Sequence, residues 1–97
     1  MAEQELARLY VIVEGRVQGV GFRYFVLEAA TGLNLNGWVR NRWDGSVEVL
    51  AEGEQAILEK LLDIMRRGPR GAWVSEVKTE WLPATGEFSQ FSVRSTY

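Results

Sequence analysis

Twice along this 97-residue chain, an alternating run of apolar residues gives way to apolar residues three and four apart. Alternation marks a strand with one packed face, and the longer spacing marks a helix with an apolar stripe. Ala7–Glu14 (ARLYVIVE) reads as a strand that runs into the glycine-punctuated stretch Gly15–Gly21. From Phe22 to about Leu33, the residues Phe22, Phe25, Val26, Ala29, Ala30 and Leu33 share one helix face, which ends near Gly32. Leu35–Trp43 and Ser46–Glu52 predict a hairpin around Asp44-Gly45, a dipeptide suited to a tight turn. Val47, Val49 and Ala51 form its packed side, while Ser46, Glu48, Leu50 and Glu52 form a partly wet one. Glu54–Arg67 carries Ile57, Leu58, Leu61, Leu62 and Met65 on one side until Gly68-Pro69 stops it. Ala72–Leu82 alternates as a strand again, and after a turn at Pro83–Glu87 the run Phe88–Arg94 is a short last strand.

The order βαββαβ plus a short terminal strand predicts an α+β fold, a ferredoxin-like two-layer sandwich. Its sheet is expected to be antiparallel, with both helices on one face. No linker or repeat divides residues 1–97, so one domain is expected. Many unrelated functions use this frame, so the fold leaves the chemistry open.

Composition narrows that chemistry sharply. With no cysteine and no histidine, the chain has no disulfide, thiolate nucleophile, imidazole base or zinc knuckle. Eleven basic against thirteen acidic side chains lack the basic excess of a nucleic-acid or membrane-surface protein. Met1–Leu6 contains two glutamates and no apolar run, which argues against a leader or a spanning segment. A cytoplasmic protein is the expectation.

The strand-to-helix passage Gly15-Arg16-Val17-Gln18-Gly19-Val20-Gly21-Phe22-Arg23 has three glycines within seven residues. Such a loop can gather several main-chain N–H groups at one point, beside the positive end of a helix dipole, to suit a phosphate-sized anion. Arg23 is placed where the dipole disfavours a cation, yet its planar fork could take two oxygens of a bound anion. A plain βα connection with a solvated arginine reads the same pattern equally well. The spacing matches neither the dinucleotide fingerprint nor a Walker A loop. Asn41 falls near a strand end, where asparagine is disfavoured. Its amide can orient a water through one donor and one acceptor, or it can simply cap the hairpin turn.

Together the two segments resemble the signature motifs of the acylphosphatases. Gly15–Arg23 is similar to G-x-V-Q-G-V-x-[FY]-R, and Gly37–Gly53 to G-[FYW]-[AVC]-[KRQ]-N-x-x-x-G-x-V followed by a glycine. The Gly68-Pro69-Arg70 turn and the Phe91-Ser92-Val93-Arg94 terminus extend the resemblance over most of the chain. The resemblance implies hydrolysis of an acyl phosphate to carboxylate and inorganic phosphate. Arg23 would bind phosphate, Asn41 would position the attacking water, and the amides of Gln18, Gly19, Val20, Gly21 and Phe22 would form the cradle.

No metal or cofactor is implied. A departing carboxylate, with a conjugate-acid pKa of about 4–5, needs no general acid. In a loose phosphoryl-transfer transition state the water is barely deprotonated at attack, so no base is essential. From the charge balance no nucleic-acid or membrane partner is expected, and a monomer is expected. The rival reading is a non-catalytic module on the same fold that binds phosphate or another small anion, or regulates. Elsewhere, Trp38, Trp43, Trp73 and Trp81 read as core or core-edge residues. Arg66, Arg67 and Arg70 read as a solvated cluster near a helix C-terminus, and Asp44, Glu48, Glu52 and Glu54 as a polar sheet rim and turn.

Overall fold

In a computed structural model that describes residues 5–97, the expected elements appear in the expected order. They are β1 (Leu6–Arg16), α1 (Phe22–Gly32), β2 (Asn36–Asn41), β3 (Val47–Glu54), α2 (Gln55–Arg67), β4 (Trp73–Pro83) and β5 (Phe91–Val93). Met1–Gln4, part of the stretch read as lacking an apolar leader, lie outside the described residues. Among the described residues, no helix is long and apolar enough to cross a membrane.

Alternation in β1 buries Leu9, Val11 and Val13 completely, and Val47, Val49 and Ala51 of β3 pair with that strand from the same face. Helix α1 covers this face with Phe22, Val26 and Ala30, and α2 with Leu58, Leu61, Leu62 and Met65. Each of these side chains larger than alanine contributes roughly 1.5–3 kcal/mol, once taken out of water, against the entropy of ordering the chain. After α2 the Gly68 N–H donates to the Ile64 carbonyl at 3.0 Å and closes the last turn. Arg66 and Arg67 stand in that turn, where the helix dipole favours cations.

The strand order is β4-β1-β3-β2-β5. All pairs are antiparallel except β2 with β5, which is parallel. The sheet is therefore mixed, and the expectation of an antiparallel sheet is corrected. Its cause is geometric. β4 occupies one edge beside β1, and the chain then crosses to the far edge and reverses, entering alongside β2, which runs opposite to β4. The terminal strand is also shorter than Phe88–Arg94, because residues 84–90 form the crossing.

That crossing is held by a carboxylate read from sequence as part of the rim. Glu52 is 6% exposed and accepts hydrogen bonds from the Thr85 N–H (2.9 Å), the Gly86 N–H (2.9 Å) and Arg8 Nε (2.7 Å). Glu48 is equally buried and takes Arg40 Nε at 2.5 Å and the Tyr10 hydroxyl. Burial pushes the Glu52 carboxyl up, but the Thr85 and Gly86 amides and Arg8 outweigh it and bring it down to about 2. Because the folded value lies below the ordinary glutamate value of 4.5, the stabilisation is complete above that pH. It drains away as pH falls toward 2. Glu52→Gln should be less stable than the parent at neutral pH, and the gap should narrow on acidification in circular-dichroism unfolding. A gap unchanged from neutral pH down to 2 would refute the assignment.

Candidate active site

Between the end of β1 and the start of α1 the backbone is set by Gly19 (φ 74°) and Gly21 (φ 76°). Neither position is crowded, since a Cβ there would meet nothing within 4 Å. It is the left-handed backbone itself that favours glycine at both. Gly21 is also the N-cap of α1, which has no side-chain cap and no acidic residue in its first turn. Among the described residues, none accepts a hydrogen bond from the N–H groups of Gln18 through Tyr24. Main-chain donors at the positive end of a helix are thus left for an external acceptor.

Val17, Gln18, Gly19, Gly21, Phe22, Arg23, Tyr24 and Asn41 line one concavity of about 140 Å³. Arg23 is half-buried there, and among the described residues no carboxylate lies within ion-pairing distance of it. Asn41 closes the opposite side as the last residue of β2, paired with Val47. Its side-chain amide bonds to no group among the described residues. An unpaired guanidinium, a row of unpaired N–H groups and a free amide therefore share one small cavity. Such a set can bind a tetrahedral oxyanion and hold one water against it.

Of the loop residues expected in the cradle, Gln18, Gly19, Gly21 and Phe22 line the cavity, with the Phe22 ring anchored in the core. Val20 does not line it; its side chain packs against the core. The side chain of Gln18 has a task that spacing alone did not suggest. Its Nε2 donates to the Arg42 carbonyl (2.8 Å) and the Ser46 carbonyl (2.9 Å). The loop is thereby tied to the turn that follows Asn41. That turn is stiffened from within, because Asp44 Oδ1 accepts both the N–H (2.9 Å) and the hydroxyl (2.6 Å) of Ser46.

Asn41 is held from a third side by residues beyond β5. The Arg94 N–H donates to the Val39 carbonyl (2.9 Å) and the Tyr97 N–H to the Asn41 carbonyl (3.0 Å). The Trp43 N–H in turn donates to the Tyr97 carbonyl (3.1 Å). On the face of the sheet away from the helices, the Arg40 guanidinium lies 4.5 Å from the Trp38 ring centre and 4.0 Å from that of Tyr97. Cation–π contact and the Glu48 ion pair together fix the strand end that carries Asn41. The part played by Tyr97 could not be read from sequence, because hydrogen bonds made by a main chain leave no residue-type signal.

Comparison with known proteins points to one family. A family model described as Acylphosphatase matches residues 9–93. An acylphosphatase of Moorella thermoacetica is 53% identical over 91 residues, 94% of this chain and 97% of that protein. The crystal structure of acylphosphatase from Bacillus subtilis superposes with a TM-score of 0.88 at 39% identity, covering 91% of this chain and 98% of the other. An acylphosphatase structure from Coxiella burnetii gives the same TM-score at 38% identity, over 97% and 100% of the two chains.

Proposed function

This chain belongs to the acylphosphatase family, hydrolases acting on acyl phosphates, and from that premise we propose a division of labour within its 140 Å³ cavity. Arg23 and the N–H groups of the Gln18–Phe22 loop bind the phosphoryl oxygens. Asn41 accepts a hydrogen bond from the attacking water and orients its lone pair toward phosphorus. The observation that carries this reading is the convergence of Arg23 and Asn41, 18 positions apart in sequence, on one cavity with unpaired loop amides.

In the reaction the water oxygen bonds to phosphorus as the bond from phosphorus to the acyl oxygen breaks, and a carboxylate leaves with the electron pair. The proton shed by the water passes to a phosphate oxygen, so neither a general acid nor a separate base is required. Positioning removes the entropic part of the barrier, and the fixed donors stabilise charge spread over the equatorial oxygens. Arg23 and the amides supply that positive potential in a cavity with no competing carboxylate among the described residues.

Release of inorganic phosphate from acetyl phosphate tests the reading, measured with and without a chelator. Turnover unchanged by chelator is expected, together with far slower turnover of phosphate monoesters, whose poorer leaving groups find no acid here. No turnover at high protein concentration, with phosphate still bound, would instead indicate a phosphate-binding module.

A further inference from the structure

At about 140 Å³, the cavity is well below the roughly 300–1,000 Å³ of pockets that enclose an organic ligand. If Arg23 and the loop bind the phosphoryl group, a reading on which this inference rests, the cavity is taken up by that group and the attacking water. The acyl group must then lie outside, across the mouth.

Aromatic residues that the core does not use lie in the cavity lining or close to it along the chain. Tyr24 lines the cavity yet is 64% exposed. Trp43, 83% exposed, lies two residues beyond Asn41, in the turn whose Arg42 carbonyl is held by the cavity-lining Gln18. Neither residue belongs to the buried cluster, and the Tyr24 hydroxyl bonds to no group among the described residues. Large exposed apolar side chains among the described residues are Leu6, Tyr24, Trp43, Trp73, Trp81 and Tyr97. Four of these gather at the same end of the sheet. Trp73 pairs with Arg16 just before the loop, and Tyr97 takes the Trp43 N–H. Scattered exposed apolar residues are ordinary, whereas a group at the mouth of a site marks a contact surface.

We propose that Tyr24 and Trp43 form an acyl-side subsite that selects acyl phosphates carrying an aromatic or other flat apolar acyl group over small ones. A ring laid against Tyr24 and Trp43 gains offset or edge contact and sheds water from both partners. An acetyl group is too small to reach both walls. Selection therefore acts on the leaving group and is separate from the phosphate contacts.

The test compares kcat/KM for benzoyl phosphate and acetyl phosphate in the parent chain and in Tyr24→Ala, Tyr24→Phe and Trp43→Ala, with inhibition by inorganic phosphate measured alongside. The parent is expected to prefer benzoyl phosphate. Each alanine variant should cut the benzoyl-to-acetyl ratio by about five- to tenfold, as loss of an aromatic contact does. Tyr24→Phe should preserve the ratio, because the ring and not the hydroxyl makes the contact. An unchanged ratio in either alanine variant overturns the two-walled subsite. So does a fall in the ratio that merely tracks weakened phosphate inhibition, since that signals a damaged cavity. Failure of the parent to hydrolyse either compound is a different result, and it counts against the hydrolase reading.

Discussion

Arg23→Ala should lower kcat/KM for an acyl phosphate by roughly 10³- to 10⁵-fold, the span over which an arginine acts on a phosphoryl transition state. Inhibition by inorganic phosphate should weaken in the same variant. Both effects follow from the environment of this side chain. It is half-buried in the cavity and has no ion-pair partner among the described residues, so its charge is directed at whatever occupies the site. Without it the loop amides still offer hydrogen bonds, but nothing offsets the full charge of the phosphoryl group. Arg23→Lys should remain severely impaired, because a point charge on a flexible stem cannot replace the two parallel bonds of a planar fork. Steady-state kinetics with phosphate as competitive inhibitor checks all three statements. Near-parental kcat/KM in Arg23→Ala would remove this residue from the site.

Asn41→Ala separates water placement from phosphate binding. A fall in kcat of about a hundredfold or more is expected, the scale of misplacing a reactant by an ångström. Phosphate inhibition should stay nearly intact, because the loop and Arg23 are untouched. The amide makes no hydrogen bond among the described residues, so its removal leaves no partner stranded and stability should barely change. Thermal unfolding beside the kinetics makes that control explicit. If Asn41→Ala abolished phosphate inhibition while kcat survived, Asn41 would be a binding group and the attacking water would need another guide.

Much of this frame was legible from residue periodicity. The three-and-four spacing in Phe22–Leu33 and Glu54–Arg67 correctly placed Val26, Ala30, Leu58, Leu61 and Met65 against the sheet. Alternation in the second hairpin arm correctly buried Val47, Val49 and Ala51. Alternation assigns residues to faces, however, and says nothing of which edge a strand joins. The parallel seat of Phe91–Val93 beside β2 was illegible for that reason. Glu48 and Glu52 looked like rim residues because glutamate is rarely buried without a partner. Apart from Arg40, their partners, Tyr10, Arg8 and the Thr85–Gly86 backbone, lie more than thirty positions away.

At the site, the glycines and Arg23 were legible as an anion loop because conformation and charge are written in residue type. Gln18 was legible only as part of a motif. A glutamine can face water or bind carbonyls, and only the fold brings Arg42 and Ser46 to it. The reading of four tryptophans as core or core-edge holds for Trp38 and fails for Trp43, Trp73 and Trp81, which are exposed, because residue type alone does not say which side of an edge strand or turn is covered.

The hold of Tyr97 on Asn41 and Trp43 has a consequence for the order in which a nascent chain becomes active. The interval from residue 41 to residue 97 is 56 residues (97 − 41), roughly three to eleven seconds of synthesis at about 5–20 residues per second. For much of that time β1 also waits, since its second partner β4 runs from Trp73 to Pro83. Until β4 is made, the edge of β1 that it joins carries unpaired main-chain N–H and C=O groups. Hydrolytic competence cannot accumulate gradually under these conditions. It should arise in a single late step, when the segment following β5 seats along β2 and the strand end bearing Asn41 stops fraying.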